Sequence, residues 1–242
     1  MKNKTIILFL LAIFLSVPAV ADVTITPKKT TYRRTKPQDP GKKTFTITYP
    51  KVKAATPALS KKIESTISYE KSFDFKLRDE LHDMQWLYEA SYEVLYNKGK
   101  MLSIALTMDG SAAYPSTSTK YLVVDTSTGD LAKAASVFIN QKALLAKLVK
   151  MKDAEVAKAI QDIKNDPETK DDDVSMIFSD AETYNKVALE EFTVDGKGVT
   201  FHHDYGFPHV ALALQPAGEF FLSWSEIKPY IKSSGLLGSM TR

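Results

Sequence analysis

SYEVLYNKGKMLSIALTMDGSAAYPSTSTKYLVVDTSTGDLAKAASVF, residues 91–138, carries most of the chain's period-two hydrophobic signal. Tyr92, Val94 and Tyr96 alternate with Ser91 and Glu93, the segment Asn97-Lys98-Gly99-Lys100 interrupts them, and Leu102, Ile104, Leu106 and Met108 resume the alternation. This is the pattern of a β-hairpin. After Gly110, the Tyr114-Pro115 step is expected to leave the ladder because proline has no amide to donate. Leu122, Val123 and Val124 then supply a third apolar run, and Asp125-Thr126-Ser127-Thr128-Gly129 turns the chain. A meander with one apolar face needs a cover, so the flanking helical regions are expected to pack on it.

Those regions lie on either side. Leu59, Ile63 and Ile67 recur every fourth residue with lysines and Glu64 between them, which predicts an amphipathic helix. Residues 60–85 read as one long helix or two joined ones, since no proline or glycine interrupts them, and Phe73, Leu77 and Leu81 extend the stripe. Downstream, Asn140 is placed to cap a helix carrying Leu144, Leu145, Leu148 and Val149, and a second segment continues through Ala154, Val156, Ala157, Ile160 and Ile163. Beyond a polar loop at 165–173, four strands are expected. They are Leu189–Val194 with Val199–Tyr205, and Ala211–Leu214 with Glu219–Leu222. Ser223 and Glu226 have the spacing of a capping box, although Pro229 keeps the helix that follows short. The expected fold class is therefore α+β, with mainly antiparallel hairpins and meander covered by amphipathic helices.

At the amino end, Lys2 and Lys4 precede an apolar run from Ile6 to Val17, and Ala19-Val20-Ala21 offers the small residues that a signal peptidase requires. The run is shorter than the ~20 apolar residues needed to span a bilayer. Residues 1–21 are thus read as a signal peptide and the location as periplasmic or secreted. Loss of that segment lowers the formal charge from +3 to +1, so a nucleic-acid partner is not implied. The chain has no cysteine, which removes a lipoprotein anchor, disulfides and thiolate metal sites. Residues 22–43 carry seven basic residues against Asp22 and Asp39, with Pro27, Pro37 and Pro40 among them. They read as a basic, extended, mobile arm. The expected division thereafter is an N-terminal α+β subdomain over 44–117, a C-terminal one over 118–232 and a loose tail over 233–242.

Three histidines, His202, His203 and His209, fall near Asp204 and Tyr205 and form the one candidate catalytic or metal cluster. On a strand His202 and Asp204 share a face while His203 takes the other, and no HExxH, GxSxG, Walker or GxGxxG pattern accompanies them. No catalytic residue, metal ligand or cofactor is assigned. The more productive feature is aromatic richness near turns. Tyr114 and Pro115 on one loop, with Tyr205, Phe207 and His209 on another, have the composition of a protein-binding surface, since rigid rings beside glycine or proline lose little entropy on docking.

Several stretches also carry a family resemblance: Val94-Leu95-Tyr96-Asn97, Leu102-Ser103-Ile104, Tyr114-Pro115, Asp125-Thr126-Ser127-Thr128-Gly129 with Val137-Phe138, Phe192-Thr193-Val194 with Gly198, Phe201 and Tyr205, Pro216-Ala217-Gly218, and Ser225-Glu226-Ile227-Lys228-Pro229-Tyr230-Ile231. Over about Thr44 to Ile231 the chain resembles the envelope domain of RsiV-type anti-sigma factors, which also accompanies PdaC-type peptidoglycan deacetylases. The resemblance implies an α+β fold and, by way of RsiV, direct binding of lysozyme. The resemblance reaches only the envelope domain, and neither a cytoplasmic sigma-binding part nor a deacetylase domain is expected of the chain. The expectation is an exported, non-enzymatic envelope binding protein whose partner is a lysozyme-type or other peptidoglycan hydrolase, acting as inhibitor or immunity protein. The alternative is an envelope glycan- or small-molecule-binding protein, or a hydrolase, that uses the region 202–209. Amino-terminal sequencing of the exported form is expected to begin at Asp22; recovery with Met1 attached would overturn the signal-peptide reading.

Overall fold

The computed structural model describes residues 22–169, 178 and 189–241. Its fold is α+β, and all strand pairings but one are antiparallel. A six-stranded sheet runs in chain order through β1 (Thr24–Arg33), β2 (Thr44–Lys53), β3 (Leu87–Lys98), β4 (Met101–Ser111), β5 (Pro115–Asp125) and β6 (Asp130–Leu131). The exception is the parallel pairing of β2 with β3, and the helices α1 (Pro57–Thr66), α2 (Tyr69–Ser72) and α3 (Leu77–His82) make the crossover between those strands. A second layer holds α4 (Ala134–Val137), the long α5 (Gln141–Asn165), a sheet of β7 (Phe192–Val194), β8 (Gly198–His202) and β9 (Glu219–Ser223), and the short α6 (Trp224–Ile227).

The predicted meander is present as β3, β4 and β5, and β4 separates two cores. Leu102, Ile104, Leu106 and Met108 point toward Ile63, Ile67 and Tyr69 beneath the crossover helices. Met101 joins the opposite core with Leu144, Phe192, Phe201, Phe220 and Ile227. The side chain of Ser103, fully buried on that face, accepts a hydrogen bond from the Val194 amide at 3.2 Å and so ties the second layer to the first. Both cores draw on β4 and β5, with Met101 and Val123 in one and Leu102, Leu122 and Val124 in the other. The boundary expected between 117 and 118 falls inside β5, where Ser111 to Met101 pair with Pro115 to Asp125 in unbroken register.

The basic arm is extended but not free. Thr24–Arg33 pairs over its whole length with β2, and Arg34 is 2% exposed. Its guanidinium donates to the carbonyls of Glu80 (3.1 Å), Lys42 (2.8 Å) and Leu87 (2.8 Å), pairs with the Glu80 carboxylate and lies 4.5 Å over the Phe45 ring. Burial of a charge demands such a set of partners. The sequence pattern missed β1 because an edge strand facing solvent needs few apolar residues, and Pro27 with its lysines is ordinary edge composition.

Residues 60–85 do not form one helix. Ser68 caps α2 by accepting from the Lys71 amide at 3.3 Å, and Asp74 takes φ of 48°, a left-handed conformation that no helix continues through. Conversely, α5 is one helix of 25 residues rather than two segments, and it starts after Asn140, itself at φ 50°. Ala211–Leu214 is not a strand; it lies in a 3-10 turn over His209–Leu214, and β9 pairs with β8 instead. The capping box holds, with the Ser223 amide donating to Glu226 Oε2 at 3.0 Å. The tail is packed rather than loose. Leu237 is fully buried, and a Cβ on Gly238 would fall 2.1 Å from the Ser233 carbonyl oxygen. The polar loop at 165–173 lies partly outside the described residues.

Removing one member of a buried pair leaves the other charge uncompensated. Arg34→Ala is therefore expected to lower the unfolding free energy by roughly 3–5 kcal/mol, read from urea melts. A loss below ~1 kcal/mol would mean that the cage around Arg34 is not buried in solution.

Candidate binding surface

The β4–β5 connection, residues 112–114, brings Tyr114 to the surface with 60% of its area exposed. Its ring stacks on His209 at 4.3 Å between centroids and 23° between planes. His209 opens the 3-10 turn that also presents Val210, 92% exposed, and Leu212, 45% exposed. Pro115 is exposed beside them. Contrary to the expectation that it leaves the ladder, it is the first residue of β5, opposite Ser111. The two loops singled out in the sequence thus meet, through a ring contact that spacing alone could not reveal.

Tyr205 and Phe207 do not belong to that surface. They are 1% and 7% exposed and pack with Ala211, Val156, Leu214 and Phe178 in a third, small core. The Tyr205 hydroxyl donates to Glu155 Oε2 on α5 at 2.7 Å, and the Phe207 amide donates to Gln215 Oε1 at 3.0 Å. Glu155 Oε1 also accepts from the Gly218 amide at 3.2 Å, so one carboxylate clamps the loop to the helix. These partners lie 8 to 63 residues away in sequence, which is why the rings read as loop aromatics.

The histidine cluster does not converge. His202 stacks face to face on Tyr121 at 3.5 Å and shares a hydrogen bond of 2.9 Å with the Thr193 hydroxyl, while His203 packs edge-on against Tyr205 at 4.6 Å. His209 lies with Tyr114, and Asp204 Oδ1 accepts from the Gly206 amide at 2.8 Å. Among the described residues no group of three His, Cys, Asp or Glu side chains is placed to hold a metal ion. Burial pulls the His202 pKa down from 6.5 to about 4, which keeps the ring neutral at ordinary pH. Tyr121 is pushed up by burial and by the carboxylates of Glu219, Glu191 and Glu93.

Two clefts adjoin this stack at the step where the second layer ends. One, of about 420 Å³, runs along residues 117–121 of β5 and is bounded on its other side by residues 202–204 with Gln215, Ala217 and Gly218. The other, of about 440 Å³, shares Thr119, Tyr121 and His202 with it and adds Glu93 and Glu219. No helix among the described residues is long and apolar enough to cross a membrane.

No family model matches the chain, and no curated protein matches it. Solved structures do share its fold. A member of the DUF3298 family from Bacteroides fragilis NCTC 9343 superposes with a TM-score of 0.54 at 16% identity, over 92% of this chain and 98% of that one. A DUF3298 family protein from Pseudomonas aeruginosa PAO1 gives 0.53 at 12% identity, over 88% and 96%. At these identities the likeness carries the fold alone.

The environment of His202 makes stability depend on pH. Its folded pKa of about 4 lies below its ordinary 6.5, so between those values the unfolded chain binds the extra proton. Stability should therefore fall as pH drops through that window, by up to roughly 3 kcal/mol from this residue. His202→Gln is expected to flatten the slope of unfolding free energy between pH 6.5 and 4, measured by denaturant titration at each pH. An unchanged slope would place the ring in solvent.

Proposed function

We propose that the chain is an exported, non-enzymatic envelope protein that binds a lysozyme-type cell-wall hydrolase through the surface built on Tyr114, Pro115 and His209. The observation that carries this reading is the stacked Tyr114–His209 pair with exposed Val210 and Leu212 beside it, a contiguous aromatic and aliphatic patch on short, anchored loops. Such patches mark protein contacts, and aromatic anchors dominate their energetics. The resemblance to the RsiV-type domain supplies the class of partner, and inhibition or immunity is the consequence that fits a binder without catalytic groups of its own.

A second reading, a glycan or small-molecule site in the region 202–209, draws on the cleft that holds His202, His203 and Asp204. It is the weaker one. His202 already engages Tyr121 and Thr193, and Asp204 caps its own turn, so neither is poised as a free general base.

Calorimetric titration against hen-type, goose-type and invertebrate-type muramidases tests the proposal. Tyr114→Ala is expected to weaken binding by at least ~1–2 kcal/mol with the melting temperature unchanged. Phe207→Ala should act differently, lowering stability by roughly 3–5 kcal/mol through a core cavity. Unchanged affinity in the Tyr114 variant, or no binding to any muramidase, would remove this function.

A further inference from the structure

Among the described residues, β5 has an unpaired outward edge ahead of its pairing with β6. In an antiparallel strand the amide and carbonyl of one residue point the same way, and that direction alternates along the chain. The Thr126 amide donates to the Lys100 carbonyl at 2.7 Å, which directs the even-numbered residues of this strand toward β4. The odd-numbered ones point outward, as the bond from the Ala132 amide to the Val123 carbonyl at 2.7 Å confirms. β6 pairs only with Val124 and Asp125. The outward backbone groups of Thr117, Thr119 and Tyr121 therefore have no backbone partner among the described residues. Pro115 shares their parity, so its missing amide costs the sheet nothing.

This edge is one wall of the 420 Å³ groove, and the second layer is the other. The groove and its continuation carry the carboxylates of Glu93, Glu191, Asp204 and Glu219 against the single ammonium of Lys120, which is itself paired with Glu191 at 3.0 Å. We propose that β5 takes an added strand: a basic, extended segment of a second protein lies in the groove, hydrogen-bonds to Thr117, Thr119 and Tyr121, and sets its lysine or arginine side chains toward those carboxylates. Strand addition supplies affinity from the main chain and specificity from alternate side chains. Pairing with the β5 of a second copy fits poorly, because it would bring the same carboxylates together. Leu212 lines the groove and belongs to the exposed patch, so one partner can occupy both.

The inference deepens the protein-binding reading and rests on it, but its test is separate. Thr119→Pro deletes an outward amide while leaving the β4 ladder intact, and Thr119→Val keeps the amide while deleting the hydroxyl that meets Thr107 at 3.2 Å. Thr117→Pro repeats the deletion one rung away, should the first variant fold poorly. The probes are an amide-capped Lys-Val-Lys-Val-Lys-Val peptide and its Glu-Val counterpart, titrated into the mature protein while amide exchange is followed by NMR. The Lys peptide is expected to bind, to slow exchange at Thr117, Thr119 and Tyr121, and to lose at least tenfold in affinity on the proline variants but not on Thr119→Val. Equal binding of both peptides, no protection at the three amides, or proline variants that bind as the parent does would overturn the proposal, as would a dimer in light scattering that Thr119→Pro dissolves. A muramidase that binds parent and Thr119→Pro equally would leave the function standing and sink the strand addition. Peptide binding without any muramidase binding would do the reverse.

Discussion

β4 has no solvent face over Met101–Leu106, and that constraint organises everything around it. Its even-numbered side chains are large and aliphatic and call for a thick cover, which α1, α2 and α3 provide. On its odd-numbered face Ser103 and Ala105 are small and let another backbone approach closely. β7 takes that place, with the Val194 amide on the Ser103 hydroxyl. A buried serine without a partner would cost about 1–3 kcal/mol, so the bond fixes where the second layer sits as well as holding it there. Because the layer is anchored at the Met101 end of the strand, it stops short of Thr107, and the step it leaves is the groove beside His202.

The other fixed point is the Arg34–Glu80 cage. Glu80 Oε1 also accepts from the Leu87 amide at 2.9 Å, so the pair joins the end of β1, the helix α3 and the first residue of β3. A buried ion pair is weak evidence for net stability, since apolar residues of similar volume often do as well. What it does supply here is register. Arg34 has hydrogen-bond acceptors on three segments, and a slip of β1 by one residue would leave its charge unmatched.

The sequence revealed elements in which one side alternates strongly. β3, β4 and β5 were legible because Leu102, Ile104, Leu106 and Met108 repeat with period two, and the capping box at Ser223 because its chemistry is local. β1 was not, because Ile25 is nearly its only aliphatic signal. The break between α2 and α3 was hidden for a different reason: Asp74 adopts a positive φ with no glycine to announce it. At the candidate surface, Tyr114 and His209 could be nominated by composition and proximity to turns, yet nothing in their spacing distinguished them from Tyr205 and Phe207. The distinction lies in Glu155 and Gln215, remote polar side chains that satisfy the loop and let those two rings turn inward. Open edges are equally invisible to pattern reading, because they depend on which strand fails to arrive.

An edge that is open among the described residues invites promiscuous pairing, and the chain limits it with several devices. Pro115 blunts one end, Lys120 inserts a charge, and Ser116, Ser118 and Thr119 offer no apolar surface to an aggregating strand. The second layer stands beside this edge as the other wall of the groove. His202 helps hold that wall in place. Neutral and stacked on Tyr121, it bridges β8 to β5 at the mouth of the groove, and the Thr193 hydroxyl fixes the plane of its ring. Protonation below pH 4 would put a charge into this buried contact, with the Glu219 carboxylate 3.9 Å away. The contact that joins β8 to β5 beside the groove therefore depends on the same burial that keeps the histidine neutral, which ties the wall of the groove to the packing between the layers.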